Sequence, residues 1–297
     1  MIRIFATIGL TGFLAACAPG NPFFPVAVVE DKADTSVSNL YATATHDDMT
    51  MNALRYDDNG TPGDTSDDVL LINNLPFDGT DGTSGGYARM AGGALPGSFE
   101  VYESPVTAER RYFAVFRRTA NSQVAAAGTG DYLEFGYGGA TAQRLSGSTL
   151  LPANGEYTYT GEYAAVRITT LTGGRDDVEY ITGQATMLVD ITDFDITGAV
   201  EGTINNRFLY DSYGTLIGGL DDFVTLATAD IDFDNKLTLS STATGYDTTQ
   251  LTSGKWQSIF TGPNGEEIAG FVFLEGNVAA GADDDIVRET GVFIALR

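Results

Sequence analysis

One run of the chain gathers more oxygen ligands than any other: Asp57-Asp58-Asn59-Gly60-Thr61-Pro62-Gly63-Asp64-Thr65-Ser66-Asp67-Asp68. Calcium takes roughly six to eight oxygens, which an acidic loop of this kind could supply. The spacing does not fit an EF-hand, however. Pro62 stands where the invariant glycine belongs, and no glutamate closes the loop. The reading is a hairpin loop between strands at 50–56 and 69–75, solvated by its own charges, with a calcium site as the alternative. A second chemistry, acyl transfer by Ser-His-Asp, would have to use His46, the only histidine. Its surroundings, Thr43-Ala44-Thr45-His46-Asp47-Asp48, read as a strand end or loop, so no catalytic residue is assigned. One histidine and one cysteine also leave no transition-metal set. A glycosidase needs two carboxylates across a cleft. The acidic doublets Asp176-Asp177 and Asp221-Asp222 and the run Asp283-Asp284-Asp285 sit at turns and do not indicate one. Phe135-Gly136-Tyr137-Gly138-Gly139 lacks the following Lys-Ser/Thr of a phosphate loop. No metal and no cofactor is expected, and a hydrolase ranks last among the readings.

The residue with the clearest chemistry is Cys17. Arg3, the apolar run 4–13 and Leu14-Ala15-Ala16-Cys17 read as a secretory signal ending in a bacterial lipobox. Residues 1–16 are then a signal peptide, and Cys17 becomes a new N-terminus carrying acyl chains, palmitate among them. Several such chains anchor a protein without a spanning segment. Ala18, rather than Asp, follows the cysteine, which in the general sorting pattern favours the outer membrane. Residues 17–35, with Pro19, Gly20, Pro22 and Pro25, read as a flexible tether. Cys17 is the only cysteine, so stability must come from a hydrophobic core rather than from disulfides. Sixteen basic and 40 acidic residues give a net charge of −24. Nucleic acid and anionic lipid surfaces are therefore poor partners, since phosphate binding needs basic patches.

These residues have to be positioned by β structure. Glycine (36 residues), Thr, Tyr and Phe are abundant, and helical periodicity is hard to find. Residues 36–145 read as a first, looser β-rich domain. Its strands are expected at 50–56, 69–75, 99–102, 111–118 and 132–137, with long loops at 78–86 and 91–97. Arg110-Arg111 and Arg117-Arg118 bracket a buried strand and partner the surrounding acids. Gly147, Pro152, Asn154 and Gly155 mark a boundary. Beyond it, residues 155–297 show period-two alternation. Tyr157, Tyr159, Gly161 and Tyr163 share one face. So do Ile181, Gly183, Ala185, Met187 and Val189, and then Ile196, Gly198, Val200, Gly202 and Ile204. Further strands are expected at 223–231, 236–244 and 255–261, with two more in the tail 260–297. Trp256 alternates with Ser258 and Phe260 and reads as core. Eight antiparallel strands with one apolar face close into a filled barrel. A membrane-spanning barrel is the rival, but Gly and Ala on the apolar face would pack poorly against lipid. The fold class expected is all-β: an eight-stranded antiparallel soluble β-barrel preceded by a β-rich domain.

Several stretches resemble one known family. Tyr159-x-Gly161-x-Tyr163, Gly183-x-Ala185-x-Met187-x-Val189-Asp190 and Phe260-x-Gly262-Pro263-Asn264-Gly265-Glu266-Glu267…Gly270, ending on Gly291-Val292-Phe293…Arg297, are similar to the barrel domain of transferrin-binding protein B-like surface lipoproteins. The resemblance covers about residues 155–297, roughly half the chain. It implies that residues 36–145 form a handle-like domain and that the protein is an outer-membrane-anchored, non-enzymatic binding module at the cell surface. A surface-lipoprotein exporter would then be a possible partner. No ligand and no binding residue carries over, and transferrin itself is disfavoured, because the chain has one lobe where the transferrin binders have two. The ligand is an unknown protein or small molecule. A structural lipoprotein facing the periplasm is the alternative.

The final strand adds one structural expectation. It is apolar on both faces, with Phe293 and Ala295 on one and Val292, Ile294 and Leu296 on the other. A barrel strand facing water should be polar outside. One face is therefore expected to fill the barrel and the other to lie under the residues 36–145.

Overall fold

The computed structural model describes residues 38–297 except 43–48, 74, 79–84, 92–94, 106–109, 133–134, 146–148, 171–175, 192–197, 221–222, 247–250 and 278–285. The lipobox, Cys17, the tether and His46 lie outside the described residues. Among those described there is no α-helix, and the strands form two sheets.

The first sheet holds β1 (Asn39–Tyr41), β2 (Leu54–Asp57), β3 (Val69–Ile72), β4 (Gly85–Arg89), β5 (Glu100–Glu103), β6 (Phe113–Arg118), β7 (Ser122–Gly128) and β8 (Gly138–Arg144). β2 to β8 run as an antiparallel meander, and β1 pairs with the far edge of β8. This is one continuous sheet, tighter than the sequence suggests. Four expected strands appear, as β2, β3, β5 and β6. The segment 132–137 is not a strand, because Gly136 turns the chain at φ 57°, where a side chain would strike the Tyr132 ring. Tyr132 instead packs edge-on against Tyr137, with its hydroxyl donating to the Pro76 carbonyl at 3.1 Å. β7 was hidden by its composition. Ser122-Gln123-Val124-Ala125-Ala126-Ala127-Gly128 is buried along its whole length. Val124 and Ala126 belong to one core, Ala125 and Ala127 to another. Small side chains are what a strand covered on both faces can hold beneath Tyr102, Tyr112 and Phe116.

The second sheet holds β9 (Gly155–Thr170), β10 (Asp177–Ile191), β11 (Ala199–Asp211), β12 (Leu216–Leu220), β13 (Phe223–Asp232), β14 (Leu237–Thr238), β15 (Ser241–Tyr246), β16 (Leu251–Thr261), β17 (Glu267–Asn277) and β18 (Ile286–Leu296). The strands β9, β10, β11, β13, β15, β16, β17 and β18 pair in that order, and β18 pairs back onto β9, so eight antiparallel strands close a barrel. The tail does pair with the first strand of the ring, from Ile286↔Thr170 to Leu296↔Thr160. Gly161 makes that seam possible, since a Cβ there would collide with the Ile294 carbonyl. The strand expected at 236–244 is broken: β14 bridges β13 and β16, and β15 alone carries the ring. The expected start of the third barrel strand at Ile196 falls outside the described residues.

The alternation places the apolar face inside. Tyr159, Tyr163, Met187, Trp256, Phe260, Val272 and Phe293 fill the barrel, and the Trp256 Nε1–H donates to the Ala227 carbonyl at 2.9 Å. The outer wall has two characters. On one side it shows water Glu156, Thr158, Thr160, Glu201, Thr225 and Asp230. On the other, Ala164, Val166, Ile168, Ile259, Phe271, Val292 and Ile294 pack against Phe99, Val101, Phe113, Val115, Val124 and Ala126 of the first sheet. Phe293 and Ala295 therefore point inward and Val292 and Ile294 lie beneath the first sheet, as the last strand's two apolar faces require. Leu296 escapes the cover and is 47% exposed at the strand end.

Polar groups pin this junction. The buried Glu267 carboxylate accepts hydroxyls from Thr119 (3.0 Å) and Ser122 of the first sheet and from Thr261 (2.8 Å) of the barrel. Arg144, at the end of β8, donates to the carbonyls of Phe260 (2.7 Å), Asn235 (2.8 Å) and Lys236 (2.6 Å). Glu162 on β9 pairs with Arg117 at 3.3 Å and accepts the Ser98 amide at 2.9 Å. Each bond is worth about 1 kcal/mol net, but each buried group would cost more if left unpaired. The contacts therefore fix orientation as much as they add stability.

Candidate binding site

The acidic 57–68 loop joins the antiparallel pair β2 and β3, as expected. Its carboxylates are committed to the loop itself. Asp57 accepts the Asn59 amide at 3.1 Å and Asp58 the Gly60 amide at 3.0 Å. Asp64 caps a 3-10 turn at Thr65–Asp67, accepting the amide (3.0 Å) and hydroxyl (2.6 Å) of Ser66, which lowers its pKa. Asp67 accepts the Thr61 hydroxyl and Asp68 the Tyr56 hydroxyl at 2.6 Å. Asn59 and Gly60 turn the chain with positive φ. The carboxylates turn to different local donors rather than toward one centre, Asp68 as a buried group and the others as exposed or partly exposed ones. Among the described residues, no three His, Cys, Asp or Glu side chains come together in a way that could hold a metal.

Charge does converge elsewhere, at the barrel end where β9 passes to β10 and β11 to β12. Arg167 and Thr169 on β9, Glu179 on β10, Arg207 on β11 and Glu289 on β18 are buried or nearly so. Arg207 Nη2 and Glu289 Oε2 form an ion pair, and the Tyr163 hydroxyl donates to Glu289 Oε1 at 2.5 Å. Gly291 leaves room for that phenol, because a Cβ there would overlap its oxygen. Arg167 Nε lies 3.5 Å from Glu179 Oε2, which also accepts the Thr169 hydroxyl at 3.1 Å. Two arginines balance two glutamates, so the interior can hold these charges in a low-dielectric layer. Burial nevertheless raises the Glu179 pKa, with Arg167 opposing.

Glu179 also lines a cavity of about 400 Å³ at the junction of this barrel end and the first sheet. Arg111, Phe113, Gly130 and Asp131 contribute from the first sheet. Asp176, Asp177 and Val178 lead into β10, and Asp211, Ser212, Tyr213 and Ile217 come from the β11–β12 turn. Gly130 sits so close that a Cβ would strike the Asp176 carbonyl and Val178. Arg111 is already engaged, pairing with Glu103 and stacking over Phe113 at 5.0 Å. The Arg111 amide donates to Asp131 at 2.9 Å, and Asp211 caps its own turn through the amides of Tyr213 (2.9 Å) and Thr215 (2.8 Å). Asp176 is 8% exposed, and burial raises its pKa against the opposing hydrogen bond from the Thr170 side chain. Tyr213 (69% exposed) and Ile217 (57%) form an apolar lip.

Of the residues weighed from sequence, the Asp176-Asp177 doublet lines this cavity and Asp57–Asp68 does not approach it. Cys17, His46, Asp221-Asp222 and Asp283-Asp284-Asp285 lie outside the described residues. The interior ion layer went unread, although the signal was present. Arg167 follows Tyr159, Tyr163 and Ala165 on the same parity, so period two already places a charge inside.

No protein-family model and no curated protein sequence matches the chain. Among solved structures, a variant of transferrin-binding protein B from Actinobacillus pleuropneumoniae is similar at 16% identity and a TM-score of 0.35, covering 61% of this chain and 79% of that one. A surface lipoprotein is similar at 18% identity and a TM-score of 0.33, covering 59% of this chain and 75% of that one.

Proposed function

We propose that this protein is a lipid-anchored, non-enzymatic binding protein of the outer-membrane surface. In this reading residues 1–16 are a signal peptide, Cys17 carries the acyl anchor and residues 17–35 form the tether. Residues 36–145 are a handle-like domain, and residues 155–297 are the barrel that presents its rim to a partner. The observation that carries it is the pairing of a filled, closed barrel with a second sheet across a pinned apolar junction. A barrel filled by Trp256, Phe260 and Phe293 and by matched ion pairs leaves its ligand surface to the rim and the junction, as a rigid scaffold that displays loops would. The lipobox supports the anchor, and the outer-wall cover explains why half the barrel is apolar outside.

The test uses intact cells. Protease shaving should remove the protein from cells expressing the wild type, and Cys17→Ala should abolish palmitate labelling and membrane retention. Protection from protease in intact cells, with degradation only after the outer membrane is opened, would instead indicate a protein facing the periplasm. Retention of the Cys17→Ala chain in the membrane would overturn the anchor.

A further inference from the structure

We propose that the free edge of β12 takes up an extended segment of a partner protein as an added strand, one in which apolar residues alternate with Lys or Arg. This deepens the binding reading above and rests on it for its biological sense. Along β11, residues Ala199 to Ile204 pair with β13, and residues Arg207 to Tyr210 pair with β12. β13 goes on to pair with β15, from Phe223↔Tyr246 onward, whereas β12 has β11 alone. Among the described residues, the other edge of β12 therefore presents backbone N–H and C=O groups outside any ladder. The free edges of the first sheet are guarded. β2 carries the charged Arg55 and Asp57, and β1 is three residues long with Leu40 buried. β12 reads Leu216-Ile217-Gly218-Gly219-Leu220, with no charge and no proline, and Leu216 and Ile217 are each more than half exposed.

The glycines are the second observation. Neither Gly218 nor Gly219 has a positive φ. A Cβ on Gly218 would meet nothing within 4 Å, and one on Gly219 would touch only the Phe208 ring, at 3.8 Å. Neither a turn nor packing in the barrel demands glycine there, in contrast to Gly161 and Gly291 in the ring. Glycine weakens a strand and marks places where another backbone comes close. The β11 register skips Ile217, a bulge that ends the regular stretch, so the ladder on offer is short and runs over Gly218, Gly219 and Leu220. A partner strand must therefore draw on side chains as well. Tyr213, Leu216 and Ile217 offer apolar contact. Tyr213 and Ile217 also border the junction cavity together with Asp177 and Asp211, so a strand laid along this edge passes acidic groups. With the net charge of −24, that favours Lys or Arg in it. The occupant is extended because the donors and acceptors of a strand edge repeat at the strand spacing. A second copy is the poorer occupant, since it would set two chains of net charge −24 edge to edge.

The experiment titrates the full-length protein in detergent at low ionic strength with acetyl-Lys-Val-Lys-Val-Lys-Val-amide and follows amide hydrogen exchange. The peptide should bind saturably and slow exchange within residues Leu216 to Leu220 by roughly fivefold or more, leaving residues Ala199 to Ile204 unchanged. N-methylation of two adjacent central residues keeps the peptide's charge and side chains but removes a donor from each of its edges, and should weaken binding by roughly tenfold. The acidic counterpart acetyl-Glu-Val-Glu-Val-Glu-Val-amide should not bind. Two variants add the same charge at exposed apolar positions. Ile217→Lys, on the edge, should weaken binding by roughly fivefold, and Leu188→Lys, on β10, by less than about twofold. Absence of saturable binding, equal binding of the N-methylated or acidic peptide, equal effects of the two lysine variants, or unchanged exchange in β12 at saturation would overturn the proposal. Slowed exchange in β12 that grows with protein concentration without peptide would assign the edge to a second copy and overturn the partner reading. The fate of the edge is separable from that of the surface reading. A protease-protected protein that binds the peptide keeps the edge and loses the surface role, and a shaved protein that does not bind it does the reverse.

Discussion

The barrel has two walls built on the same alternation, and they differ only in what lies outside them. In β11 the inner residues Val200, Gly202 and Ile204 face the core, while Glu201, exposed, and Thr203, half-buried, face outward. In β18 the inner residues Phe293 and Ala295 fill the same core, but Val292 and Ile294 face outward into a second core shared with the first sheet. Closure of the ring therefore does not decide whether a strand is two-sidedly apolar; the sheet docked on it does. β9 shows the change within one strand. Thr158 and Thr160 are exposed, whereas Ala164, Val166 and Ile168, on the same face a few residues later, are buried.

The largest test of that contrast is a charge on each wall. Ile294→Asp should destabilise the protein by more than about 4 kcal/mol in urea unfolding, because the new carboxylate has no water and no partner. Thr160→Asp, on the open wall beside it, should stay within about 0.5 kcal/mol. Equal effects would mean that the first sheet does not cover β18 in solution. A second pair of variants asks how the covered wall tolerates charge on its inner face. Glu289→Gln removes the carboxylate partner of Arg207 and should cost about 3 kcal/mol. Glu201→Gln on the open wall should cost less than about 0.5 kcal/mol.

A smaller effect separates two tyrosines. Burial pushes the Tyr159 pKa up to about 12 and that of Tyr180, beneath the first sheet, well above the ordinary value of 10. A phenol whose folded pKa is raised contributes stability that is fully present below pH ~10 and is lost as pH climbs through the folded value. Spectrophotometric titration should therefore show Tyr159 ionising before Tyr180. Stability should fall as pH rises from ~10, and Tyr159→Phe should remove only the Tyr159 share of that fall, leaving the shares of Tyr180, Tyr87, Tyr102 and Tyr112 in place. Tyr180 ionising first would reverse the assignment of the more sheltered wall. The smallest expected effect is none. The 57–68 loop belongs to neither wall and uses its carboxylates on nearby amides and hydroxyls, so chelator should leave Tm unchanged, and a shift of several degrees would revive a calcium site.

Much of the architecture was legible from residue types. Alternation at Tyr157–Tyr163 and along 181–189 identified inner faces, because a side chain's face is set by parity alone. The doubly apolar tail announced a covering layer before any layer was known. Strands β7 and β8 were not legible, because Ala and Gly say little about β structure until the neighbours that demand small residues are known. The break between β14 and β15 was hidden for a related reason. Ring closure shares β13 and β16 between two short strands, and nothing local at Leu239-Ser240 signals it. At the candidate site, Asp176-Asp177 read as a solvated turn, but Asp177, though exposed, opens β10, and Asp176 is buried.

The amino-acid sequence by itself determined the β class, the count of ring strands and the two-faced character of β18, since each follows from local propensity and a period of two. Tertiary structure alone decided where charge converges. Arg111 and Asp131 meet Asp176, Glu179 and Asp211 only because β6 and β7 lie across β9 and β10, bringing together residues up to 100 positions apart. Burial, which raises the pKa of Asp176, is a property of that packing, and no spacing along the chain encodes it.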